Sequence, residues 1–298
     1  MRAARVALVE TAGAPEVRPI AAADAAAVAE FLHTELNPRV SSAGWAGLLL
    51  PPWDDGRAPN HGFQLVAGDR IVGVYAAVYS RRELDGQQRD VCNLAAFCVL
   101  EEHRAHSVRL IRALLGQRGY VFTDFSPSGN VVAMNERLGF RRLDTAGRLV
   151  LNLPRGPLRG VRVVDDPAEL SRRLEGRDAE VYRDHRETAA ARHLLVETGD
   201  SYAYLVYRRE RRKRLPVFAV PLYAGGDRAL LERAWPRVGT HLLRRGLPVT
   251  LAERRLLGFT PGGAGRAFAA GRPKMIRSKE LDGRTLDYLY SELVLVQW

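Results

Sequence analysis

Cysteine is almost missing from this chain of 298 residues: Cys92 and Cys98 are the only two. Both fall in one predicted strand, where their even spacing puts them on the same face. Neighbours along a strand seldom reach disulfide geometry, so a disulfide framework is excluded and a reduced, cytoplasmic setting is expected. The two thiols read as small apolar fillers rather than nucleophiles. No apolar run approaches the roughly 18 residues of a membrane-spanning helix, so no membrane partner is expected. Residues 1–10 turn acidic too soon for a signal peptide. No set of side chains has zinc-ligand spacing, so no metal is expected, and no interleaved aromatic pattern supports nucleic-acid reading.

What the chain has in excess is positive charge. Lys and Arg number 45 against 34 Asp and Glu, a net charge of +11. That balance suits an anionic partner such as a phosphorylated cofactor or nucleic acid, and it equally suits an arginine-rich background in which the run at 209–214 is a solvated hairpin tip. A hydrophobic content of 46% is enough for a real core, and the length fits one large domain or two ordinary ones.

The order of elements divides the chain. A strand over 16–20 leads to a helix with Asp24 as N-cap and Val28, Phe31, Leu32 and Leu36 at helical spacing. Asn37-Pro38 stops it. An amphipathic piece around Trp45 ends at Pro51-Pro52, and residues 63–79 read as a hairpin turning at Gly68-Asp69. A strand over 91–99, a helix over 107–116, a strand over 120–125 and a helix over 130–138 follow, and a strand over 148–153 closes this half. The Pro/Gly-rich, basic stretch 154–160 reads as a linker. Residues 161–298 then repeat the order: a strand over 161–164, a helix over 167–174, a hairpin from 202–207 and 215–223, a helix opened by Asp227, a strand over 247–251 and a last strand over 288–296. A degenerate internal duplication follows from element order, without residue identity.

Two stretches carry chemistry. The basic turn Arg104-Ala105-His106-Ser107-Val108-Arg109 stands at a helix start, where unpaired N–H groups and the positive end of a helix dipole attract an anion. After the strand at 120–125, the turn Ser126-Pro127-Ser128-Gly129 opens a helix that stops at Leu138-Gly139-Phe140. In this order the segments resemble the acyl-CoA-binding half of the GNAT-type N-acyltransferase superfamily. The resemblance covers roughly residues 16 to 150 by motif and the rest by topology alone. It implies an α/β (α+β) fold of two GNAT-like lobes, each a mixed, mostly antiparallel sheet flanked by helices. Residues 1–153 would form the acyl-CoA-binding lobe, 154–160 the linker and 161–298 a degenerate lobe. It also implies N-acyl transfer from acetyl-CoA, or another short acyl-CoA, to an amine of a small molecule, amino acid or amino sugar.

The same resemblance assigns roles. The family's loop reads Arg/Gln-x-x-Gly-x-Gly/Ala. Here Arg104 takes the first position, while Ser107 and Arg109 replace the glycines. Arg104, Ala105, His106, Ser107, Val108 and Arg109 would seat the pyrophosphate, and the main chain of Phe97, Cys98 and Val99 the pantetheine. The tyrosine that often protonates the leaving thiolate corresponds to Asn135, which cannot do so; a thiol of pKa about 8.5 can leave unassisted, and Asn135 can still hydrogen-bond the sulfur. Asn130 either touches the cofactor or caps its helix. His103, His106 and Asp124 are the candidate bases, since Asn93 stands where the family often has Glu and is not a base. Trp45 and Trp53 either line an acceptor pocket or fill the core. Asp184, His185 and His193 form a polar cluster, expected on one helix. The second half lacks the loop, its counterpart at 223–227 being shorter, so it reads as a cofactor-free repeat. Two other readings keep the fold: transfer from charged tRNA, and a non-enzymatic scaffold or ligand sensor.

Overall fold

The computed structural model describes residues 14–212 and 215–297. The reading of residues 1–10, and the 213–214 tip of the basic hairpin, lie outside them. Alternating and continuous apolar stretches form fourteen strands among the described residues: β1 (Glu16–Pro19), β2 (Gly62–Ala67), β3 (Arg70–Leu84), β4 (Gln87–Val99), β5 (Tyr120–Asp124), β6 (Arg141–Arg142), β7 (Gly147–Leu151), β8 (Arg162–Val164), β9 (Ala191–Glu197), β10 (Tyr202–Arg212), β11 (Leu215–Gly226), β12 (Val249–Glu253), β13 (Gly265–Phe268) and β14 (Met275–Arg277). They make two seven-stranded sheets, ordered β1-β2-β3-β4-β5-β14-β6 and β8-β9-β10-β11-β12-β7-β13. Each has one parallel pair, β4 with β5 and β11 with β12. The sheets therefore match position by position, and the duplication read from element order is a duplication of topology.

The sixth strand of each sheet comes from the other half of the chain. β14 lies between β5 and β6 in the first sheet, pairing Met275 with Asp124 and with Arg142. β7 lies between β12 and β13 in the second, pairing Leu149 with Leu251 and Arg266. The strand expected to close the first half thus belongs to the second sheet, and a cut at 154–160 separates the helices but not the sheets. The exchanged contacts are tight: a Cβ on Gly265 would sit 1.9 Å from the Leu149 carbonyl oxygen, and one on Gly147 2.2 Å from that of Ala252.

Helices cover both faces: α1 (Ala25–Phe31), α2 (Ser42–Leu49), α3 (Ser107–Leu115), α4 (Gly129–Arg137), α5 (Pro167–Arg173), α6 (Gly176–His185), α7 (Arg228–Arg244), α8 (Arg254–Leu257) and α9 (Glu292–Leu295). Leu110, Ile111 and Leu114 of α3 and Val132 of α4 pack on one face of the first sheet. Leu231, Trp235, Val238 and Leu242 of α7 do the same on the second. A further cluster joins both halves through α1, α2, α5, α6 and the buried segment 286–296. Each fully buried Leu or Val in these clusters contributes about 1.5–3 kcal/mol.

Several local expectations change. Asp24 holds the N-cap position of α1 but makes no side-chain bond into that helix: it ends a 3₁₀ turn, Ala22–Asp24, and its carboxylate accepts from the Ala21 N–H at 2.8 Å. Asp227 does cap α7, accepting from Leu230 N–H. The expected strand at 288–296 is a turn followed by α9, because Ser291 accepts from Leu293 N–H and starts a helix. Cys92 and Cys98 lie on opposite faces, one packed with α3 and the other with the interlobe cluster, because β4 carries a bulge between them.

Candidate functional site

The site begins where β4 and β5 part. Their parallel pairing runs from Asp90 with Tyr120 to Leu94 with Asp124 and ends there. β4 continues for five more residues. Across β3, Ala76 pairs with Ala96 and Ala77 with Leu94, so Ala95 is an extra, bulged residue at the mouth of the gap. The gap is a cavity of about 380 Å³, with Ala95, Ala96 and Phe97 on one side, Ser126 and Ser128 on the other, and Trp45, Tyr75 and Asp124 in its walls. The second sheet has the same break. β11 and β12 pair as far as Ala219 with Thr250, and Leu222 is bulged between Val206 and Tyr207. There the chain's own C-terminal segment fills the gap: Tyr288 N–H donates to the bulged Leu222 carbonyl at 2.9 Å, with Leu286, Tyr288 and Leu289 buried around it.

At the floor of the open gap lies a set of buried polar groups. Asp124, at the end of β5, accepts from Asn135 Nδ2 at 2.8 Å. Burial first, then the charge of Glu292, pushes its carboxyl up to about 7. Glu292, at the start of α9, is fully buried; it accepts from Ser126 Oγ at 2.6 Å and from Asn93 Nδ2 at 2.5 Å. Burial raises its carboxyl too. Asn93 Oδ1 in turn accepts from Thr123 Oγ1 at 2.9 Å. Asn135 Oδ1 is buried and has no hydrogen-bond partner among the described residues. Tyr75 stays a phenol, its hydroxyl held well above the usual range by burial and by Asp124. Burial and the charge of Glu292 thus bring the Asp124 carboxyl to about 7, the range in which a general base works at neutral pH.

Solved structures share the fold. A Pyrococcus horikoshii protein for which acetyltransferase activity is itself a proposal matches 94% of this chain over 95% of its own length, at 14% identity and a TM-score of 0.53. GCN5-related N-acetyltransferases from Kribbella flavida (14% identity, TM-score 0.53, 88% of this chain and 71% of that one) and Anabaena variabilis (11%, 0.54, 88% and 72%) match as well. The chain has the GNAT fold, in tandem form. No protein-family model matches it, and no curated protein does.

Within this GNAT fold the residues singled out from sequence divide into two groups. Phe97, Asp124 and Asn135 lie at or against the gap, and Trp45 lines it as a buried wall. Cys98 and Val99 continue along the same β4 edge. Burial raises both thiols, Cys92 to about 12, so each is protonated at neutral pH. The other group lies on the stretch after β4, where residues 101–106 form a 3₁₀ helix running directly into α3. The His103 and Ser107 N–H groups are already bonded, to Leu100 O and Arg104 O. Arg104 is exposed, 3.5 Å from Glu101; Arg109 reaches back to the Pro15 carbonyl. Ala105 and Val108 are exposed, and the His103 and His106 rings stand 6.5 Å apart. Asn130 does not cap α4: Ser128 holds the N-cap position, with no side-chain bond into the helix, and Asn130 is exposed in the first turn.

Sequence reasoning missed Glu292, Ser126 and Tyr75. The Glu sits in an apolar run whose alternation reads as a strand with a solvent-facing carboxylate. Asn93, where the family often has Glu, is the residue that holds it, so the acid at this level arrives from the far end of the chain. Trp53 packs away from the gap, its indole N–H on the Tyr79 carbonyl at 3.1 Å and its rings against His185 and Tyr290. His185 ends α6 whereas His193 lies in β9; they are not on one helix, and burial lowers both imidazoles, to about 3 and about 4.

Proposed function

We propose that the chain is an N-acyltransferase that moves a short acyl group from an acyl-CoA to an amine, with the gap beside Ala95 as donor site and Asp124 as base. The observation that carries this reading is the open gap of the first sheet, ending on a buried carboxyl that titrates near 7, beside a second gap that the chain itself fills. An extended pantetheine amide chain fits the β4 edge at Ala95 to Phe97, which has no strand beside it there. The diphosphate end fits less well, since the amides at 103 and 107 are taken; Arg104 is the cation at hand. When bound, coenzyme A supplies an acyl group activated as a thioester.

The chain's own residues supply the rest. Ionised Asp124 takes the proton from the acceptor's ammonium, freeing the nitrogen lone pair. Asn135 holds the carboxylate in place through its Oδ2. Tyr75 presents the hydroxyl that can give a proton to the departing sulfur, a role that Asn135, at the position the resemblance points to, cannot fill. A general base of this kind is worth about 10²–10⁴ in rate. The test is release of free thiol from acetyl-CoA with pooled amines, together with the melting temperature. Acetyl-CoA should raise the melting temperature, and Asp124→Asn should lower turnover by about 10² or more while keeping that shift. No shift at millimolar acetyl-CoA would remove the reading.

The closed 3₁₀ stretch favours one alternative, a donor without a diphosphate such as an aminoacyl-tRNA. It predicts binding of tRNA that weakens steeply with salt, in place of the acetyl-CoA shift.

A further inference from the structure

A second cavity, of about 280 Å³, opens beyond the donor gap and shares two of its wall residues, Ser126 and Arg272. We propose that this cavity is the acceptor subsite and that it selects amines carrying an anionic group, a carboxylate or a phosphate. The proposal rests on the N-acyltransferase reading above.

Charge and hydrogen-bond direction give the orientation. Four cations line the cavity, Arg208, Arg266, Arg272 and Lys274, against two carboxylates, Glu210 and Glu253. Glu253 is committed on both oxygens, to Lys274 Nζ and to the Tyr288 hydroxyl. Glu210 lies 3.6 Å from Arg272, whose side chain is still 57% exposed. Arg208, 2% exposed, donates to the carbonyls of Leu293 at 3.0 Å and Val296 at 3.3 Å and also feels the charges of Glu210 and Glu292, so the cations that face the cavity toward solvent are Arg266 and Arg272. Arg266 on β13 is exposed and has no ion pair to a carboxylate among the described residues. The wall therefore carries an excess of positive charge, and guanidinium groups suit the paired oxygens of a carboxylate or phosphate. At the junction the polarity reverses. Ser126 gives its proton to Glu292, so its oxygen is left to accept, and the N–H of an amine is a donor that suits it. Asp124 lies on the donor side of that junction. An amine at Ser126 and an anionic tail toward Arg266 and Arg272 satisfy both ends at once.

The test uses the full chain and four probes: glycine and O-phosphoethanolamine as anionic amines, ethanolamine and n-butylamine as uncharged-tail controls. Calorimetric binding is measured without donor, and turnover with acetyl-CoA. An anionic amine should bind, and be acylated with a kcat/KM about tenfold or more above the controls. Arg266→Glu should raise KM for that amine about tenfold while leaving KM for acetyl-CoA unchanged, and Arg266→Lys should restore most of it. Preference for glycine or for O-phosphoethanolamine tells carboxylate from phosphate. Equal use of the uncharged amines, or an Arg266→Glu protein that binds anionic amines as before, overturns the proposal. If acetyl-CoA fails to bind, the donor reading falls, and the donor-free calorimetry still decides this one: heat with an anionic amine that Arg266→Glu abolishes upholds it, and no heat sinks it.

Discussion

Asp124→Asn should make the protein more stable in mild alkali while lowering the proposed acyl transfer by about 10² or more. The carboxyl is 5% exposed, and burial with the charge of Glu292 lifts it from 3.8 to about 7. That is about three units at about 1.4 kcal/mol each, so holding the ionised form inside costs on the order of 4 kcal/mol. The sign comes from proton counts. Below the unfolded value both states keep the proton. Between 3.8 and about 7 the unfolded chain has released it and the folded chain has not, so stability falls as pH rises, and above 7 the full cost is present. At about pH 5 roughly 1.5 kcal/mol of it is already felt, which leaves about 3 kcal/mol to appear by pH 8. The amide carries no charge and loses this slope. Urea unfolding of wild type and variant at the two pH values isolates it, because pH-independent effects of an amide beside Asn135 cancel in the double difference. The variant should gain about 3 kcal/mol relative to wild type between about pH 5 and 8. Glu292→Gln should reduce the gain, since the two carboxyls titrate as a pair. In parallel, kcat/KM of the wild type should rise with pH through about 7, a limb the variant lacks. A wild type–variant difference that is the same at both pH values would refute the claim that the fold perturbs this carboxyl.

Two further outcomes test the architecture. Arg208→Met removes the guanidinium that holds the Leu293 and Val296 carbonyls, and should cost about 2–3 kcal/mol in urea unfolding, weakening the seat of Glu292 with it. An unchanged midpoint would show that the C-terminal segment is held without it. Because β7 and β14 cross between the sheets, opening the chain between Gly156 and Pro157 should give two pieces that copurify when made together and are insoluble when made apart. Two independently folded monomers would contradict the exchange.

The local sequence was a good guide where structure is set by neighbours in the chain. Leu138-Gly139-Phe140 ends α4 because Gly139 takes φ +88, the left-handed region that glycine enters without strain, and Phe140 N–H turns back to Asn135 O at 3.0 Å before its ring is buried. The β4–α3–β5–α4 order and the place of Asp124 at the end of β5 follow from signals of that kind. The strand exchange carries no such signal. Gly147-Arg148-Leu149-Val150-Leu151 reads as a strand, but the same alternation satisfies either sheet, and only contacts about a hundred residues away, with Leu251 and Arg266, choose between them.

Glu292 was hidden for a related reason. A carboxylate in an apolar run reads as the solvent side of a strand, yet Ser126, Asn93 and the cationic Arg208 nearby make its burial tolerable. Those partners lie 84 to 199 residues away and are visible only in the folded chain. The duplicated gaps then differ through one segment. Residues 286–296 occupy the gap of the second sheet, leaving only that of the first open, and the same segment delivers Glu292 to the floor of the open one. The segment that fills the second gap cannot be removed without also removing the carboxyl whose charge raises Asp124. That coupling makes the pH response of the first lobe depend on a residue of the second.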